Sequence, residues 1–158
     1  MMRSGKKVLA LASDHAGFRY KQMIRERLLA RDFEIADFGT DSPAPTDYPL
    51  YVSKAARAVA AGECFGGVVI GGSGNGEAIA ANKIGGIRCA VCWNEQSARL
   101  AREHNDANMI ALGQRLIGPR LAVRLTERWL SATFAGGRHA ARLAQIAALE
   151  RSGPLGGV

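Results

Sequence analysis

Residues Gly66 to Ile70 read GGVVI, with no polar side chain, and run without interruption into GGSGNG and then EAIAANK. A short, β-branched apolar run is the mark of a strand covered on both faces. A glycine-rich loop that opens directly into helix-forming residues makes the segment a strand–turn–helix unit. Such a strand needs neighbouring strands at its sides and helices above and below, so this stretch restricts the chain to an α/β architecture.

The rest of the sequence supplies those neighbours, because strand-length apolar segments alternate with amphipathic segments of helix length throughout. Strands are expected at Lys7–Ser13, Phe33–Phe38, Gly66–Ile70, Arg88–Trp93 and Asn108–Leu112. Helices are expected at Gly17–Arg31, where Tyr20, Ile24 and Leu28 share a face, and at Tyr51–Ala61, Glu77–Lys83 and Glu95–Glu103. Ile117, Leu121, Leu125 and Trp129 repeat at helical spacing, and a terminal helix follows at His139–Arg151. GTDSPAPTDYP holds three of the five prolines and reads as a surface loop. The expectation is one α/β domain over residues 1–151 on a five-stranded parallel sheet, with residues 152–158 as a flexible tail.

Composition narrows the setting. Of 158 residues, 47% are hydrophobic and 22% charged, which excludes a disordered polyelectrolyte. No apolar run reaches the roughly 18 residues of a membrane span, and the apolar stretch after the basic start stops at Asp14 and His15, short of a signal peptide. A cytoplasmic protein with no membrane partner is expected. Cys64, Cys89 and Cys92 fit that compartment. Cys89 and Cys92 are spaced CxxC but flank Ala90 and Val91, and without a second pair they read as core thiols rather than metal ligands.

The net charge of +7 raises the question of nucleic acid. Much of the excess lies beyond His104, where seven arginines face Asp106, Glu127 and Glu150. Arg120, Arg124 and Arg128 recur at i, i+4 and i+8, one solvated helix face, and no zinc-finger, RNA-recognition or basic-zipper pattern accompanies them. No nucleic-acid partner is expected.

In open parallel sheets, ligands bind beyond the carboxyl ends of the strands. That edge gathers Asp14 and His15, the loop from Gly71 to Glu77, Asn94, and Gly113 to Arg115. Spacing excludes the common nucleotide loops: Lys83 is seven residues past Gly76, too far for a Walker loop, and Glu77 stands where a dinucleotide fingerprint needs its third glycine. What remains is a turn of bare backbone amides, the Ser73 hydroxyl, and a carboxylate in the first turn of a helix. Amides at a helix N-terminus hold negative charge, and their dipole favours an ionised Glu77. A base beside an oxyanion nest is what proton abstraction next to a carbonyl requires. Glu77 could equally just complement the dipole. His104 in EHND is either a helix-end histidine or a proton carrier for a sugar oxygen, and Asp14 could cap the helix after it. Arg138 and Arg142 in RHxxR share a helix face, suited either to solvent or to gripping a phosphate.

Five segments together resemble type B ribose-5-phosphate isomerases: SDHAGF (Ser13–Phe18), TDYP (Thr46–Pro49), GGSGNGEAIAANK (Gly71–Lys83), REHNDAN (Arg102–Asn108) and GGRHAAR (Gly136–Arg142). The likeness runs in order from about Lys7 to Glu150. It implies a Rossmann-like three-layer α/β/α sandwich, a homodimer or homotetramer with sites at the subunit interface, and interconversion of ribose 5-phosphate and ribulose 5-phosphate without metal or cofactor. Carried over by position, His104 assists ring opening. Arg138 and Arg142, with His15 and Arg115, bind phosphate. Asp14 and Asn105 contact sugar hydroxyls, while Ser73 and the amides of Gly72, Gly74, Asn75 and Gly76 hold the enediolate. Many members carry a cysteine base at the end of the third strand. Gly71 stands there in this chain, which resembles instead the subgroup whose base is the glutamate after GSGNG, here Glu77. Allose-6-phosphate and galactose-6-phosphate isomerases share the fold, and a nucleotide-binding protein of the universal-stress type is the alternative from another class.

Overall fold

The computed structural model describes residues 5–152. Five strands, β1 (Val8–Ser13), β2 (Glu34–Asp37), β3 (Gly66–Gly71), β4 (Cys89–Val91) and β5 (Met109–Gly113), form one parallel sheet in the order β2-β1-β3-β5-β4. β3 is central and fully buried, as its apolar run requires. The helices are α1 (Phe18–Leu29), α2 (Tyr48–Ala60), α3 (Asn75–Asn82), α4 (Glu95–Asn105), α5 (Pro119–Ser131) and α6 (Arg138–Ser152).

Alternation along the strands divides the core into two layers. Leu9, Leu11, Val68, Ile70, Ile110 and Leu112 point to one face, where Ile24 and Leu28 of α1, Ala98 and Ala101 of α4, and Leu125 and Trp129 of α5 cover them. Ala10, Ala12, Val69, Met109 and Ala111 point to the other, beneath Val52, Ala55, Ala56 and Val59 of α2 and Ala78 and Ala81 of α3. Alanine on this second face lets the helices lie close to the sheet. The result is the three-layer α/β/α sandwich implied by the resemblance. Trp129 is fully buried, and its indole N–H donates to the carbonyl of Ala107 at 2.9 Å, so the largest core side chain leaves no polar atom unpaired.

Several boundaries differ from expectation. α2 begins at Tyr48, three residues earlier than its alanine-rich pattern suggested, because Pro49 in the first turn gives up an N–H that has no helical acceptor anyway. α4 extends through His104 to Asn105, and Arg138 lies within α6. β4 is only three residues long, as befits an edge strand. The expected tail lies outside the described residues except for Ser152, which ends α6. Of the arginine face on α5, Arg124 reaches Glu95 at 3.3 Å, while Glu127 beside it accepts from Arg27 and Arg31 at 2.6 and 2.8 Å. α6 differs from the other helices in burying no residue, leaving Ile146 and Leu149 exposed. Among the described residues, no helix is long and apolar enough to cross a membrane.

Candidate active site

The strand order reverses direction between β1 and β3, and a cleft of about 310 Å³ opens at their carboxyl ends. Asp14, His15, Ala16, Tyr48, Gly72, Ser73, Gly76, Glu77 and Arg115 line it. Of the residues expected at the site, this cleft therefore unites Asp14, His15, Gly72, Ser73, Gly76, Glu77 and Arg115.

Each is fixed by backbone geometry. β3 ends at Gly71, and Gly74 takes the left-handed conformation (φ 81°) that caps α3 and turns the chain into it. Asn75 N–H donates to Ser73 Oγ at 3.2 Å, holding the hydroxyl over the turn. The amides of Gln114 and Arg115 donate to the carbonyls of Gly71 and Gly72, each at 2.9 Å, and stitch the loop after β5 to the glycine loop. This stitching lays the Arg115 guanidinium against Gly72, where an added Cβ would lie 3.2 Å from its Cζ.

Glu77 is 3% exposed although it lies in the first turn of α3. Its carboxylate folds back over the end of β3, so close that a Cβ on Gly71 would sit 1.7 Å from Oε1. Glu77 thus occupies the space that a side chain at position 71 would need. Burial pushes its carboxyl above the ordinary carboxylate range, and the charge of Asp14 adds to that, against the opposing pull of the amides of Glu77 and Gly74. The helix terminus alone suggested a readily ionised group. In the structure desolvation outweighs it and makes the carboxylate more eager for a proton.

The opposite wall comes from β1. Asp14 Oδ1 accepts the Gly17 N–H at 3.1 Å, so it does cap the turn into α1 while remaining at the cleft. His15 Nδ1 accepts the Thr46 N–H at 3.2 Å. Nδ1 also lies 3.3 Å from the Thr46 carbonyl oxygen, so the ring is tied to the Thr46 backbone whichever nitrogen carries the proton. Behind this wall, Lys21 is 1% exposed and its ammonium contacts both Asp37 oxygens at 2.5 and 2.7 Å. Asp37 also accepts the Gly39 N–H at 3.0 Å, and the segment it holds pairs with Ser13 on both sides (2.6 and 2.7 Å), bracing the residue before Asp14.

Other expected residues lie elsewhere. Gly74 is buried beneath the turn, and exposed Asn75 lines a neighbouring groove with Ile79 and Lys83. His104 and Asn105 end α4 at the amino edge of the sheet, where Arg88 donates to the carbonyls of Asn105 and Asp106 at 2.9 and 2.8 Å. Arg138 and Arg142 begin α6 beside them, both exposed, and the imidazoles of His104 and His139 stack at 4.1 Å. The length of β5 separates this second cluster from Glu77, on the order of 15 Å at about 3.3 Å per residue. A single chain therefore does not bring Arg138 and Arg142 together with His15 and Arg115.

Two residues were missed by sequence reasoning. Tyr48 stands in the TDYP segment, and its hydroxyl lies over Gly76, within 2.5 Å of where a Cβ would be. TDYP carries that signal, although the prolines of GTDSPAPTDYP mark the segment as a loop. His139 lies inside RHxxR, between the two arginines suited to a phosphate.

The fold and the cleft define a sugar-phosphate isomerase architecture, and comparison with known proteins bears this out: the model of the Ribose/Galactose Isomerase family matches residues 9–146, and the chain belongs to that family. Among its relatives, ribose-5-phosphate isomerase B of Escherichia coli is 47% identical over 145 residues, covering 92% of this chain and 97% of its own. Ribose-5-phosphate isomerase B of Mycobacterium tuberculosis is 40% identical over 151 residues, covering 94% and 93%. The Clostridium thermocellum ribose-5-phosphate isomerase B structure superposes with a TM-score of 0.90 at 48% identity, over 92% of this chain and 98% of that one. The Mycoplasma genitalium enzyme, solved with bound ribulose-5-phosphate, gives 0.88 at 34% identity, over 91% and 96%. Family membership decides against the nucleotide-binding alternative.

Proposed function

We propose that the protein interconverts ribose 5-phosphate and ribulose 5-phosphate in the cytoplasm, with Glu77 as the base. The observation that carries this reading is the Glu77 carboxylate, buried over Gly71 at the glycine loop. Once the sugar is open, Glu77 removes the proton from C2, and the electron pair moves onto the aldehyde oxygen as a C1–C2 double bond forms. The Ser73 hydroxyl and the loop amides hold that oxyanion. The C2 hydroxyl proton passes to the C1 oxygen, Glu77 returns its proton to C1, and C2 is left as the ketone carbonyl. Asp14, and Asn105 of the second cluster, hold sugar hydroxyls, and His15 faces the same cleft.

The second cluster enters from another copy of the chain. His104 moves the proton between the anomeric hydroxyl and the ring oxygen, while Arg138 and Arg142 grip the phosphate with Arg115. Two observations support a two-fold dimer: half of the expected site lies at each edge of the sheet, and α6 carries its apolar side chains unburied. A panel of five- and six-carbon aldose phosphates tests the reading. Ribose 5-phosphate should be the best substrate, and Glu77→Gln should lower kcat by about 10²–10⁴. A folded Glu77→Gln enzyme with normal kcat would overturn it.

A further inference from the structure

A histidine that moves protons is usually oriented through its second ring nitrogen, which donates to a carbonyl or a carboxylate. Among the described residues, no such bond reaches the His104 ring. What holds it is a flat contact: the His139 ring lies parallel to it, with centroids 4.1 Å apart and planes within 13°.

The chain is shaped to make this contact. His104 is the penultimate residue of α4 and His139 the second residue of α6. The segment between α5 and α6 is pinned to α4 by the Ala135 N–H, which donates to the carbonyl of Glu103 at 2.9 Å. Gly136 and Gly137 follow, both left-handed (φ 64° and 57°), conformations that residues with side chains rarely adopt. Their carbonyls accept the amides of His139 and Ala140, each at 3.1 Å, and so begin α6 directly above His104. Both rings are half-buried, and the edge of the His104 ring, with its two nitrogens, is left without a protein partner among the described residues.

We propose that His139 is a positioning residue, a flat platform that fixes the plane of the His104 imidazole for its work on the closed sugar. This rests on the ring-opening role of His104 proposed above. The stack confines the ring to one plane while leaving both nitrogens free to reach the sugar, which a hydrogen bond to one of them would not. The flanking Arg138 and Arg142 then present the phosphate at a fixed distance from that plane.

The test compares His139→Ala, His139→Leu and His139→Phe on two substrates. Ribose 5-phosphate must be opened, whereas a four-carbon aldose 4-phosphate cannot close a five-membered ring because its phosphate occupies the required hydroxyl. His139→Ala should lower kcat on ribose 5-phosphate about threefold to tenfold, the worth of an aromatic pair. It should leave KM and the four-carbon reaction within about twofold, a bound set well below that effect. His139→Phe should restore the rate, and His139→Leu, which fills the space without a flat face, should not. Equal losses on both substrates, or restoration by leucine as good as by phenylalanine, would overturn the platform. His104→Asn separates the two levels of the reasoning. A selective loss in His104→Asn with none in His139→Ala refutes the platform alone, and equal losses of His104→Asn on both substrates remove the ring-opening role and the platform with it.

Discussion

Gly71→Ala is the sharpest perturbation the site allows, because it adds one carbon and removes nothing. That carbon would stand 1.7 Å from Glu77 Oε1, 2.1 Å from Cδ and 2.7 Å from Oε2. Ordinary contact begins near 3.4 Å, so the carboxylate must retreat by about 1.7 Å. A misplacement of about 1 Å can cost on the order of 10² in rate, and the whole contribution of a general base is about 10²–10⁴. The expected loss in kcat is therefore about 10²–10⁴, nearly that of removing the carboxylate. Stability should fall by no more than about 2–3 kcal/mol, so the variant still folds. Gly71 is not among the left-handed glycines, so alanine fits its backbone and gains about 0.4–1 kcal/mol from the unfolded chain. That offsets part of the ~1–3 kcal/mol of overpacking. Steady-state kinetics and a thermal melt on the same preparation measure both. A folded Gly71→Ala protein with near-normal kcat would show that the base does not work from the space over Gly71. The complementary swap follows: Gly71→Cys in a Glu77→Ala background should recover part of the lost rate, since it places a thiol where the carboxylate stood.

Co-expressing Glu77→Gln with an Arg138→Ala/Arg142→Ala chain should restore roughly a quarter of normal activity, because half the dimers would be mixed and each would hold one intact site. No recovery in dimers shown to be mixed would refute the shared site. Because burial raises the Glu77 carboxyl above its unfolded value, its ionisation opposes folding, and its contribution to stability is lost as pH rises through the folded value. Glu77→Gln should therefore melt higher than the natural chain at pH 8, with the difference vanishing toward pH 4; a lower melting point at pH 8 would contradict the burial argument. Iodoacetamide should leave activity intact at neutral pH, since burial pushes the Cys92 thiol up to about 12 and raises Cys89 and Cys64 as well. Rapid inactivation of folded enzyme, prevented by substrate, would require a thiol at the sugar.

The layered fold was legible because strands buried on both faces carry no polar residues and amphipathic helices do. β3 and its loop announced the sheet's centre, and the rule for parallel sheets placed Asp14, His15, Glu77 and Arg115 at one edge. What escaped was local. Pro49 argued for a loop because proline breaks a helix interior, yet in a first turn it breaks nothing, and Tyr48 was lost from the cleft with it. The protonation tendency of Glu77 was also out of reach. Position in a helix is readable from sequence, but the 3% exposure that outweighs it depends on the fold-back over Gly71 and on Asp14 arriving from β1.

The split between the two clusters has a different cause. In a parallel sheet every helix returns the chain from the carboxyl edge to the amino edge, so residues close in sequence alternate between opposite ends of the molecule. Asn94 starts α4 at one edge and His104 finishes it at the other. The sheet that buries Glu77 and makes it a strong base also stands between it and Arg138, and no rearrangement of side chains can carry a guanidinium across on the order of 15 Å of packed strand. The arginines can serve the same sugar only if a second sheet presents its amino edge to this cleft. In the proposed dimer that geometry has a chemical use. One subunit holds the base and the oxyanion donors rigidly at the end of β3, and the other supplies, from α4 and the exposed α6, the groups that must admit, open and release a phosphorylated ring.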